Sequence, residues 1–151
     1  MTDSCPSCGG KYQDDGSCQT VFDEFIAREF SDPAYGAVHF LTVSSYMIQH
    51  GQYSDQALVW IEKQLRNYFE KGFSADQIRL QADKDANQAK RNWKVTRRMD
   101  EPAQEKIAWS ITILDVARHK RNAESYCAWV QRWARSTLNE MQPLLPGGSV
   151  S

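Results

Sequence analysis

Residues 18–51 read CQTVFDEFIAREFSDPAYGAVHFLTVSSYMIQHG, and the fold turns on this stretch. Val21, Phe22, Phe25, Ile26 and Phe30 recur at helical spacing, which predicts a helix over about 18–30. Asp32-Pro33 then breaks and restarts the chain, because the residue before a proline is pushed out of the helical region. A second helix is expected over about 34–50, apolar on most sides and therefore central, with Gly51 as its stop. Two helices joined by so short a turn lie antiparallel. At 1.5 Å of rise per residue, Cys18 stands roughly 18 Å from the turn. His50 stands at the far end of the second helix, so these two ends come together. His39 sits near the turn, about 16 Å from His50 along the same helix.

That juxtaposition explains CPSCGG at residues 5–10. Two thiols at this spacing hold a metal or exchange electrons. A thioredoxin-like pair follows a strand and opens a helix within a βαβ pattern, and no such pattern surrounds Cys5 and Cys8. Structural zinc takes four Cys or His ligands in a tetrahedron. The remaining candidates are Cys18, Cys127, His39, His50 and His119. One ion cannot bind both His39 and His50. Cys5, Cys8, Cys18 and His50 form the self-consistent set, a Cys3His site clipping the polar segment 1–17 onto the open end of the 18–50 hairpin. A complete set leaves no open position for water, so the ion, zinc or iron by ligand type, is expected to be structural. Cys127, beside Trp129, reads as a buried thiol.

Further along, Ser54 is a helix N-cap, Leu58, Ile61, Leu65, Tyr68 and Phe69 form a stripe, and Gly72 is a stop. Ser74 with Gln77 matches a capping box and opens a polar surface helix, so two helices fill 54–90. Residues 92–114 read two ways. Ile107, Trp109, Ile111 and Ile113 alternate as in a strand, with Trp93 and Val95 as its hairpin partner. A helix through Ile107, Ile111 and Leu114 fits almost as well. An amphipathic helix is expected over 123–141, and 142–151 as a frayed tail. The expected fold is mainly α: a single-domain small helical bundle with an N-terminal zinc knuckle and a short β-hairpin as the alternative for 92–114.

Composition bounds the function. The 151 residues carry 25% charged and 41% hydrophobic side chains and a net charge of −1, as in an ordinary globular domain. No apolar run approaches the ~20 residues of a membrane helix, and no secretory signal is visible. A cytoplasmic setting, which keeps thiols reduced, is the expectation. Residues 84–98 gather six Lys/Arg around Trp93. Lys90, Arg91, Trp93, Lys94, Arg97 and Arg98 are a candidate contact face for nucleic acid, against the plainer reading of a solvated face or an acidic protein partner. His39, Asp32, Tyr35 and Glu29 are a candidate small-molecule pocket, against the plainer reading of a hydrogen-bonded core histidine. No nucleophile elbow, P-loop or dinucleotide fingerprint occurs, so the balance leans away from an enzyme and towards a binding or interaction module.

CPSCGG, then GSC, then EFSDPAYGAVHFLTVSSYMIQH, then YCAWVQRWARSTL resembles an uncharacterised bacterial group, domain-of-unknown-function family 5946, along most of the chain. The shared words map onto Cys5, Cys8, Cys18, the turn from Glu29 to Tyr35, His39, Thr42, Gln49 and His50. The chain departs at Gly51, where the family usually has proline. The resemblance implies a shared fold and metal site and no activity.

Overall fold

The computed structural model describes residues 5–11, 17–89 and 106–145. Helix α1 spans Cys18–Ser31, with the Ser17 hydroxyl accepting from the Thr20 N–H as its N-cap. Asp32 closes α1 and opens the next turn at once. Its N–H donates to the Arg28 carbonyl, and its carboxylate accepts from the Ala34 N–H at 3.0 Å. The single helix predicted over 34–50 is in fact two: α2, Pro33–Gly36, and α3, His39–Gln49. The cause lies at Gly36. A Cβ there would stand 2.7 Å from the Glu29 carbonyl oxygen, so the turn lies flat on α1. Val38 then leaves the helical region, at φ −107° and ψ 16°, and re-aims α3.

Helix α4, Asp55–Lys71, begins at Ser54 and ends at Gly72, whose φ of 71° is the left-handed cap that glycine favours. Helix α5, Ala75–Ala89, opens with the expected reciprocal box. The Gln77 N–H donates to Ser74 Oγ at 3.1 Å, and the Ser74 N–H to Gln77 Oε1 at 2.7 Å. Ile78 is its buried side chain, while Leu80 is exposed.

Residues 106–112 form neither the strand nor the helix read from their sequence, although Ile107 and Trp109 do alternate with exposed neighbours. The pattern is that of an extended chain lying on the bundle. Among the described residues, side chains rather than a neighbouring strand hold its backbone. Gln49 Nε2 donates to the Ile111 carbonyl at 2.8 Å, and the Ser110 N–H donates to Glu140 at 2.9 Å. A capping box of Thr112 and Asp115 then starts α6, Ile113–His119. Residues 92–105, the other half of the supposed hairpin, lie outside the described residues.

Helix α7 spans Ala123–Glu140. It packs on α2, α3, α4 and α6. Tyr126, Val130, Trp133, Ala134 and Leu138 are buried and meet Phe25, Leu41, Leu58, Leu65 and Leu114 in one core. Each fully buried large apolar side chain contributes about 1.5–3 kcal/mol. Within the stretch expected as a tail, Gln142–Leu144 forms a 3-10 turn, and Leu144 and Leu145 pack against the core, while residues 146–151 lie outside the described residues. No helix among the described residues is long and apolar enough to cross a membrane.

Candidate metal centre

The antiparallel arrangement of α1 and α3 brings the start of the first to the end of the second. Cys5, Cys8, Cys18 and His50 each offer a ligand atom there, and these atoms all lie within 4.8 Å of one another. The Sγ atoms of Cys8 and Cys18 stand 3.7 Å apart. A tetrahedron with metal–sulfur bonds of ~2.3 Å has an edge of about 3.8 Å, so the spacing suits a four-coordinate ion. The three thiols are buried, between 2% and 6% exposed.

The segment 5–11 is shaped around its sulfurs. The Cys5 N–H donates to the Gly10 carbonyl at 2.8 Å, and the Gly9 N–H to the Cys5 carbonyl at 2.9 Å. Gly9 takes a φ of 79°, in the left-handed region where a side chain would be strained. The Gly10 N–H points at Cys8 Sγ, 3.4 Å away. Gly10 is needed for closeness: a Cβ there would stand 2.8 Å from Thr112 Oγ1 and 3.1 Å from Leu114 Cδ1. The knuckle is thus pressed onto the start of α6. Arg118 ties it down further by donating to the Lys11 carbonyl.

His50 is set up as a ligand. Its Nδ1–H donates to the Tyr46 carbonyl at 2.8 Å, which leaves Nε2 as the ring's remaining ligand atom. Nε2 is buried and has no hydrogen-bond partner among the described residues. The ring is held by Tyr46, which stacks on it at 4.1 Å and on Phe22 at 4.0 Å. Tyr46 went unnoticed in the sequence, where it reads as one more apolar position of a central helix.

The electrostatics follow from crowded sulfurs. A hydrogen bond from Cys18 and the nearby His50 pull the Cys8 thiol down to about 4 against the cost of burial. The same hydrogen bond, burial and the neighbouring thiols push Cys18 up. Burial alone would lower His50, but the Cys8 thiolate outweighs it and the net direction is upward. A divalent cation among three sulfurs and an imidazole would replace these shared protons, and the donor set suits a thiolate-binding metal. The residues present therefore fit the group.

The other candidates fall elsewhere. Glu29 and His39 do meet, with His39 Nδ1 at 2.7 Å from Glu29 Oε1. The carboxylate is wholly buried and also accepts from Thr42 Oγ1 at 2.5 Å and from the Tyr126 hydroxyl. This is a buried charge satisfied from α3 and α7, as such groups require. Asp32 is spent on capping. Tyr35 packs on Tyr126 at 5.0 Å. Glu29, His39 and Asp32 of the expected pocket are thus engaged in hydrogen bonds, with the His39 side chain still 39% exposed, and of the four residues Tyr35 alone lines the cleft of about 170 Å3 nearby. Tyr126 was missed as a partner because its position fits an ordinary core stripe, whereas Thr42 already stands beside His39 in the shared motif.

Cys127 is partly buried, with its thiol donating to the Ala34 carbonyl at 3.3 Å and pushed up by burial. His119 stacks on Trp129 at 4.1 Å, away from the sulfurs. Lys90, Arg91, Trp93, Lys94, Arg97 and Arg98 lie outside the described residues.

The motif pair Gln49-His50 has a divided role. His50 faces the thiols, while Gln49 holds Ile111 and donates to Thr137 Oγ1 of α7 at 3.0 Å. Compared with known proteins, the chain matches no curated protein and no solved structure. A family model does match, over residues 3–142, which include every ligand of the candidate centre. The chain therefore belongs to DUF5946, a family of unknown function.

Proposed function

We propose that Cys5, Cys8, Cys18 and His50 hold one structural zinc ion, and that the chain serves in the cytoplasm as a small helical binding or interaction module. The carrying observation is the convergence of the His50 ring and three buried thiols, whose ligand atoms all lie within 4.8 Å of one another. Crowded buried thiols beside an imidazole suit a bound cation, which replaces their shared protons. Four protein ligands leave no position for a substrate, which supports a structural role over a catalytic one. The segment 5–11 contains no helix, so a metal is the natural means of fixing it to the bundle.

Elemental analysis of the purified protein tests this, beside Cys18→Ser, His50→Ala and the control Cys127→Ser. The expected result is about one zinc per chain in the wild type and control, with metal and thermal stability lost together in the other two. Iron in place of zinc would correct the metal and keep the site. Full metal content in His50→Ala would sink the ligand set.

A further inference from the structure

On a different face, the end of α1, the α2 turn and the α6–α7 junction enclose the cleft of about 170 Å3. Three cations converge on it from separate elements. Arg28 comes from the last turn of α1, Lys120 caps the end of α6, and Arg121 stands just before the N-cap of α7. Arg28 is already oriented, its guanidinium lying 5.2 Å over the Tyr35 ring. Among the described residues none of the three forms an ion pair. Glu24 is the one carboxylate in the lining, so positive charge dominates. The floor is aromatic: Phe25 and Tyr126 are 2% and 1% exposed. The Tyr126 hydroxyl donates to Glu29 behind the cleft and is committed there.

Unneutralised cations held together repel one another and raise the local concentration of anions. The volume is below the ~300–1,000 Å3 of pockets for drug-sized ligands and equals about five or six water molecules. It suits a head group with a few carbons and nothing larger. We infer that this cleft binds a compact oxyanion, the phosphoryl or carboxylate group of a small metabolite, through Arg28, Lys120 and Arg121 over a floor of Phe25 and Tyr126. This carries the binding-module reading one step further. It does not depend on the metal, since none of these residues belongs to the cysteine cluster.

The test is an amide NMR titration of the full-length protein as purified, with inorganic phosphate in one arm and propionate in the other. Chloride keeps the ionic strength constant. Saturable shifts confined to Arg28, Tyr35, Lys120, Arg121 and Tyr126 are expected, and the arm that saturates first identifies the head group. Arg28→Ala and Arg121→Ala should each weaken binding at least about tenfold, the loss of one charge-assisted hydrogen bond. Arg79→Ala, an exposed cation on α5, should leave it unchanged. Shifts that never saturate, or that weaken equally in Arg79→Ala and Arg121→Ala, would overturn the inference by reducing it to general screening. Zinc-free protein that still binds would show that this site stands whatever becomes of the metal.

Discussion

Tyr126→Phe removes one oxygen atom from the middle of the protein and little else. The ring has every reason to stay: it meets Phe25 edge-on at 5.1 Å and Tyr35 at 5.0 Å. What is lost is the hydrogen bond to Glu29, a wholly buried carboxylate left with His39 and Thr42. A hydrogen bond to a charged group contributes about 1.5–3 kcal/mol, and burial leaves Glu29 no water to replace it. For a chain of this length each kcal/mol moves Tm by about 2–4 °C, so the variant should melt about 3–12 °C lower. Urea unfolding should show a lower midpoint at unchanged slope, because the exposed surface is the same. A double-mutant cycle with Glu29→Gln isolates the pair and should give a coupling above about 0.5 kcal/mol. A loss under about 0.5 kcal/mol, the size of a surface change, would refute the reasoning.

Other perturbations probe the knuckle and the interior. Gly10→Ala should force the segment 5–11 off α6, since its Cβ would meet Thr112 and Leu114 at 2.8 and 3.1 Å. Overpacking of this kind costs about 1–3 kcal/mol, and competition with a chromophoric chelator should show faster metal release than in Ser7→Ala. Tyr53 is pushed up to about 12 by burial, above its ordinary value of 10. Its neutral form is thus favoured by folding: the contribution is complete below pH 10 and fades as pH rises towards 12. Stability should drop by about 2 kcal/mol from this group alone between pH 9 and 11.5, read from urea melts at those two values. Tyrosinate absorbance rising fully near pH 10 while the protein is still folded would contradict it.

Much of this architecture was legible before any coordinates. Short apolar stripes and their caps located α1, α4, α5 and α7, because Ser54, Gly72 and the Ser74/Gln77 pair act locally. The clustering of Cys5, Cys8, Cys18 and His50 was legible for a geometric reason: a hairpin must bring its open ends together, and Cys18 and His50 mark them. Failures came where long-range contacts overrule local pattern. Nothing near Gly36 in sequence says that the Glu29 carbonyl will lie against it. The alternation through Ile107, Trp109 and Ile111 correctly reported an extended, half-buried chain, although Ile113 opens α6 instead, and period two cannot distinguish a sheet partner from the side chains of Gln49 and Glu140. The network around Glu29 was half visible, since His39 drew attention while Tyr126, 97 residues away, supplied the contact that makes it a closed core feature.

The pressing of Gly10 against Thr112 has a consequence in time. All four thiol and imidazole groups have been synthesised once His50 leaves the ribosome, whereas the residues that cover the knuckle come roughly 60 positions later. At ~5–20 residues per second, that interval lasts about 3–12 s. During it the nascent cluster is complete but uncovered, open to an ion and equally open to oxidation. After α6 and α7 arrive, the same contact that shields the sulfurs also slows any exchange of what they hold. For a cluster that holds a metal as proposed, ion supply during translation, more than the affinity of the finished protein, would then decide how much of the population is correctly loaded.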